Sequence, residues 1–245
     1  MEDALSLAEK ASDPRAIAYV LVFAAFHYRS CGEPERVREQ AEKCIALCVE
    51  HGMSHEKESV NVAYGWAIAQ LGQVEEGIAR IRESLASHNA RGSMISSSNY
   101  LAVLADSYAK AGRIEEAMDA VTKGLDFADA NNERQCESEL YRLKGELLLA
   151  QSANNENLRA ASILHAEASF QQAIEIARRQ GAKSWELLAA LSLARLWQIQ
   201  GKGMAASEML KEIYAWFTEG FETSDLKHAR ALIEELSSIA EEPSH

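Results

Sequence analysis

The sequence predicts an all-α chain in which about five helix-turn-helix units and a C-terminal capping helix stack as one solenoid over residues 1–245. Three observations predict it. In Ser98 to Ala128 the apolar residues Leu101, Leu104, Ala105 and Tyr108, and then Ile114, Ala117, Val121 and Leu125, recur at steps of three and four, with Gly112 placed to break the helix between them. Two helices cannot bury both stripes alone, so the unit must stack on others like itself. The second observation is a register of 40 residues: GRIEEA at 112–117 echoes GQVEEG at 72–77, and Gly32, Gly72 and Gly112 share the step. Leu5, Ile45, Leu85 and Leu125 follow the same step, as do Gly52, Gly92 and Asn132, residue types suited to the left-handed end of a helix. Beyond Ser152 the step lengthens by nine residues and then reaches Gly181 and Gly201. Third, Pro14, Pro34 and Pro243 are the only prolines and stand where helices begin or have ended, and no alternating run bounded by turns reads as a strand.

Residues 1–12 read as the tail of the second helix of a preceding unit, because Ala4 and Leu5 stand 40 residues before Cys44 and Ile45. The solenoid is expected to start in mid-unit, its first half supplied by upstream sequence or another chain. The unit over 13–52 pairs a helix from Asp13 to Ser30 with one from Pro34 to Glu50, proline being suited to a first helical turn. The unit over 53–92 pairs Ser54 to Leu71 with Gln73 to Ser87, and the unit over 93–132 holds the template. In 133–181 a helix from Glu133 to Gln151 and another from Leu158 to Gln180 flank the polar insertion SANNEN at 152–157, expected to be a tolerated loop. The unit over 182–222 pairs Ala182 to Gln200 with Lys202 to Thr218. In 223–241, Thr223 or Ser224 can cap a helix whose Leu226, Ala229, Ile233 and Leu236 lie opposite Lys227, Arg230, Glu234 and Glu235. One dry face and one wet face is what ends a solenoid, and EEPSH after it should fray.

A net charge of −12 argues against nucleic acid and anionic membrane as partners, since both need a basic surface. The longest apolar run, Ala16 to Phe26, is far short of the roughly 20 residues that span a bilayer. MEDALSLAEK lacks the basic start and apolar stretch of a signal peptide, so a cytoplasmic location is expected. Cys31, Cys44, Cys48 and Cys136 form no CxxC pair and are read as small apolar residues of a reducing compartment; redox sensing by Cys44 and Cys48, which share a helix face, is the alternative.

Chemistry-bearing patterns are sparse. Gly181-Ala182-Lys183-Ser184 resembles the tail of a phosphate-binding loop, but alanine replaces its glycine and a helix precedes it, so it reads as a turn. His27, His51, His55, His88, His165, His228 and His245 fall in no ligand spacing, and no elbow presents a nucleophile. Glu75-Glu76 and Glu115-Glu116 recur in the first turn of each second helix, where the helix dipole stabilises carboxylates. No catalytic, cofactor-binding or metal-binding residue is assigned, and the chain is read as not an enzyme.

The units resemble tetratricopeptide repeats, whose pattern is W-x2-L-G-x2-Y followed by A-x3-F. Leu101-x2-Leu104-Ala105-x2-Tyr108 with Ala117-x3-Val121 fits, as does Tyr141-x2-Lys144-Gly145-x2-Leu148 with Ala166-x3-Phe170; the 40-residue step and the missing closing proline depart from it. Nearly the whole chain is also similar to the C-terminal repeat region of bacterial proteins that join a class III adenylate or guanylate cyclase, or a kinase, to an AAA-like ATPase module. ELYRLKGELLLAQ (139–151), SFQQAIEIARRQGAKSWELLAALSLARLWQIQGK (169–202) and YAWFTEGFETSDLKHARALIEEL (214–236) carry that likeness. The resemblances imply a right-handed α-α superhelix and a regulatory, protein- or peptide-binding role in signalling. The cyclase and ATPase motifs of such proteins lie upstream of this region, and none is present here.

In tetratricopeptide-like stacks the first helix of each unit lines the concave face. One row in this register is Phe26, Trp66, Asp106, Glu146 and Arg195, and neighbouring rows add Tyr19, Phe23, Asn99, Glu139 and Arg142. Either these residues line a groove and meet a partner, or the longer helices turn the row inward and make Phe26 and Trp66 core. The expected function is a non-catalytic scaffold for protein or peptide; the alternative is a sensor whose groove takes a small effector and biases an attached cyclase or ATPase.

Overall fold

In the computed structural model, which describes residues 2–11, 13–153 and 156–241, every regular element is an α-helix. Contacts group the chain into two compact units, Met1–Glu133 and Arg134–His245. The division falls beside the expected boundary between the third and fourth repeats.

The first unit holds α1 (Glu2–Ala11), α2 (Pro14–Ser30), α3 (Pro34–His51), α4 (Ser54–Gln70), α5 (Val74–Ala90), α6 (Ser97–Lys110) and α7 (Ile114–Asn131). Pro14 and Pro34 occupy first helical turns, where a missing N–H costs no hydrogen bond, and Asp13 caps α2 by accepting from the Arg15 amide at 3.0 Å. Asn132 follows α7 with φ of 53°, in the slot that Gly52 and Gly92 fill at 66° and 67°. Asparagine tolerates this left-handed conformation, so the register survives the change of residue. Ser96, before α6, is a second non-glycine residue at positive φ, and sequence periodicity gives no sign of it.

α4 and α5 approach at Gly65 and Gly77. A Cβ on Gly65 would lie 2.7 Å from the Gly77 carbonyl oxygen and 2.7 Å from Ile81 Cγ1, so the two backbones leave no room for a side chain. One repeat later, Ala105 and Ala117 stand at the same register positions, both fully buried, so the third pair accommodates the methyl groups that the second excludes. Glu133 does not open a helix. It terminates the first unit, where its carboxylate accepts from the Ser98 amide at 3.2 Å and from Ser98 Oγ at 2.6 Å, satisfying the start of α6.

The second unit holds α8 (Glu137–Ser152), α9 (Glu156–Gln180), α10 (Lys183–Ile199), α11 (Gly203–Tyr214) and α12 (Ser224–Glu241). Its core runs from Phe170 and Ile174 through Leu187, Leu193 and Leu210 to Leu226 and Leu236. The nine-residue slip is largely helical: α9 has 25 residues where α7 has 18. Of the expected loop SANNEN, 154–155 lie outside the described residues, Ser152 ends α8 and Glu156 begins α9. α11 stops at Tyr214, four residues before the expected 218, because Trp216 and Phe217 donate to the carbonyls of Ile213 and Tyr214, three residues back, and tighten the last turn. In α12 the buried stripe is Leu226, Ala229, Leu232 and Leu236 with Ile233 at its margin, while Lys227, Arg230, Glu234 and Glu235 are exposed. The expected fraying at 242–245 lies outside the described residues.

Candidate functional site

The predicted row divides between the two units. In the first unit, α2 presents Tyr19 and Phe23 one helical turn apart, 53% and 59% exposed, with ring centroids 5.4 Å apart. The register counterparts of Phe23, Ala63 and Val103, are fully buried, so its ring is exposed on α2 at a position that is interior in α4 and α6, while those of Tyr19, Ser59 and Asn99, are half-buried. One turn on, the part-buried Phe26 stacks on Tyr100 of α6 at 6.1 Å and 13°. Tyr100 in turn meets the His88 ring edge-on at 5.2 Å, and His88 Nε2 lies 3.2 Å from Ser97 Oγ. Burial first, and then the nearby Arg91, hold the His88 imidazole below its ordinary range. Asn99 is half-buried on α6.

Trp66 corrects the groove expectation. It is 6% exposed, and its Nε1–H donates to Asp106 Oδ2 at 2.5 Å, joining α4 to α6. Gln70 Nε2 donates to the same oxygen at 3.4 Å. On the other side, the Arg29 guanidinium of α2 lies over the indole, 5.8 Å from the ring centroid. Of the two readings open for this row, Trp66 follows the core one, since an indole this enclosed between neighbouring helices has little surface left for a partner. Asp106 is half-buried and serves as its acceptor.

Within the second unit the row is an internally paired charge network. Glu139, expected at the surface, is 4% exposed, and both its oxygens accept from Arg142, at 2.6 and 2.8 Å. Arg142 Nη1 donates to Glu146 Oε1 at 2.6 Å, and Ser192 Oγ of α10 donates to the same oxygen at 2.8 Å. Glu139 is buried because the planar fork of arginine matches a carboxylate and satisfies it in place of water. Arg195 is exposed on α10. The aromatic-to-acidic-to-basic run read from the sequence is therefore exposed at Tyr19, Phe23, Glu146 and Arg195, while Trp66 and Glu139 lie inside.

Sequence reasoning passed over Arg29. It is 7% exposed, and its Nε is buried with no hydrogen-bond partner. Its register counterparts are Ala69 and Ala109, and this cation at an alanine position was the available signal.

The cysteines sit apart from this face. Cys44 and Cys48 lie 3.9 Å apart, Sγ to Sγ, on α3, and burial raises the pKa of both thiols, Cys44 most strongly. A buried thiol that resists ionisation is a poor nucleophile, which favours the structural reading over redox sensing. Among the described residues no group of three or more His, Cys, Asp or Glu converges as a metal site, and no helix is long and apolar enough to cross a membrane.

No protein-family model matches the chain, and no curated protein matches it. Among solved structures it is similar to the nearly identical TPR-like repeats of a Podosopora anserina kinesin light chain, at 20% identity and a TM-score of 0.50, over 83% of this chain and 95% of that one. It is also similar to BtubC (BKLC) from P. vanneervenii, at 14% identity and a TM-score of 0.54, over 89% and 94% of the two chains. At these identities the likeness is one of fold: the chain has an all-α, TPR-like helical-repeat architecture.

Proposed function

We propose that this chain is a non-catalytic interaction scaffold, and that the α2 face of its first unit takes a protein or peptide partner. The observation that carries the reading is the exposed pair Tyr19 and Phe23, continued by the stacked Phe26 and Tyr100. Aromatic rings offer large contact area at little conformational cost, and no packing need within the first unit explains two of them in water on adjacent turns. The fold supports the same reading. The stretches at 139–151, 169–202 and 214–236 further support a place as the repeat region of a larger signalling protein bearing a cyclase, kinase or ATPase module, in a cytoplasmic setting.

Quantitative comparison of proteins retained by the tagged chain and by its Tyr19→Ala/Phe23→Ala double variant tests the proposal. Partners lost only with the double variant, at an unchanged melting temperature, are expected. An identical set on both baits refutes the assignment of the face.

A second reading, an effector sensor, has one observation of its own. Between α4 and α5 lies a groove of about 550 Å³ lined by Ser54, Lys57, Glu58, Asn61, Arg80 and Ser87. Arg80 is already engaged there by Asn61 and Glu76, at 3.3 and 3.4 Å. A small polar molecule that raised the melting temperature, with the rise lost in Arg80→Ala, would favour the sensor.

A further inference from the structure

Arg29 is the feature of the first unit that the fold does not explain. Its side chain is 7% exposed in a chain of net charge −12, yet among the described residues no carboxylate pairs with it and no hydrogen bond engages its guanidinium. The buried Nε has no hydrogen-bond partner among the described residues, and the guanidinium lies over the face of Trp66. Two other buried charges, both in the second unit, are matched: Glu139 by Arg142, and Glu186 by Arg178 and Lys183. A guanidinium largely shielded from water without a counter-ion is costly, and a ring face offsets only part of that cost. Alanine fills the same slot in the next two repeats, so the helix pair does not need an arginine there.

We infer that Arg29 is a carboxylate-accepting subsite, and that the partner of the α2 face is a peptide segment carrying an acidic side chain close to an apolar one. This rests on the reading of that face as the interaction surface. The spacing follows from α2. Phe26, Tyr19 and Phe23 all fall within about 120° of Arg29 around the helix, and Phe23 lies six residues back, about 9 Å along the axis. An extended segment advances about 3.3 Å per residue. Adding the sideways step around a helix about 10 Å wide, a carboxylate held at Arg29 therefore places the side chain about four residues away over Phe23, and one about five residues away over Tyr19. The carboxylate supplies the missing counter-charge, and the apolar side chain covers the exposed rings.

The test is selection of peptides from a random dodecapeptide display library on the full chain, followed by solution binding of the recovered peptides and their Glu→Gln or Asp→Asn twins. Recovered peptides are expected to carry an acidic residue about four to five positions from an apolar one. The amide twin is expected to bind the wild type about tenfold more weakly, the range of a charged hydrogen bond, and to bind Arg29→Met as tightly as its parent does. Peptides that need Tyr19 and Phe23 but show no acidic preference, or whose acid-over-amide preference survives Arg29→Met, overturn the Arg29 assignment and leave the scaffold standing. No recovered peptide, or peptides indifferent to Tyr19→Ala/Phe23→Ala, overturn both. Urea unfolding of Arg29→Met gives an independent arm: its midpoint should equal or exceed that of the wild type, and a clear fall would make Arg29 a prop for Trp66 instead.

Discussion

Replacing Trp66 with alanine separates the interior reading of this residue from the groove reading. Its ring is 6% exposed and bonded to Asp106 at 2.5 Å, so truncation removes both packed surface and a charge-assisted hydrogen bond. Loss of a buried aromatic costs roughly 3–5 kcal/mol. The components can be separated: Trp66→Phe keeps a ring and deletes the donor, at a cost of roughly 1.5–3 kcal/mol for a bond to a charged group. The lower end is expected, because Asp106 is half-buried and water can reach its carboxylate. A cycle of Trp66→Phe with Asp106→Asn should then give a coupling of about 1 kcal/mol. Equilibrium urea unfolding of the full chain, followed by its helix signal, measures Trp66→Ala and the four proteins of the cycle. If Trp66→Ala falls within about 1 kcal/mol of wild type, the indole is a surface contact after all and the interior assignment is wrong.

Gly145→Ala would drive a methyl group into the fully buried Phe170 ring, 2.7 Å from Cδ1, so an overpacking cost of about 1–3 kcal/mol should exceed the gain of about 1 kcal/mol in helix propensity; a net loss recovered by adding Phe170→Leu is expected, and a neutral single variant would refute the clash. At Glu186 burial acts to raise the pKa, but hydrogen bonds from Arg178 and Lys183 outweigh it and leave the value lowered. Its stabilising contribution should therefore be complete above the ordinary glutamate value of about 4.3 and disappear as pH falls through the lower folded value, so Glu186→Gln should flatten the acid limb of a stability profile; an unchanged limb would show that the pair contributes nothing. Iodoacetamide should label Cys31 well before Cys44 and Cys48 in the native chain, and peptide mapping that finds Cys44 labelled at the rate of Cys31 would contradict the burial of its thiol.

The sequence by itself determined what depends on local period and backbone conformation. The helix stripes, the turn glycines and the left-handed slot at Asn132 all occupy their expected places, because each is set by residues within a turn or two of one another. The same local logic made the acidic first turns of α5 and α7 and the wet face of α12 legible. Where a helix stops was less so. Glu133 belongs to the N-terminus of α6 through a contact 35 residues away in sequence, and the slip after Ser152 lengthened α9 although its composition suggested a loop. Tertiary structure alone decided the site. A register row gives the azimuth of a residue on its helix, but not how far a long side chain reaches or which neighbour covers it. Trp66 and Phe23 are both large aromatics on first helices; the indole is enclosed by Arg29 and Asp106, while Phe23 stands mostly exposed with Tyr19 beside its ring. Glu139 and Glu146 are both acids of α8, and the Arg142 fork holds both oxygens of the first in the interior while binding one oxygen of the second at the surface. Pairing across helices satisfies or strands a charge, and periodicity carries no record of which.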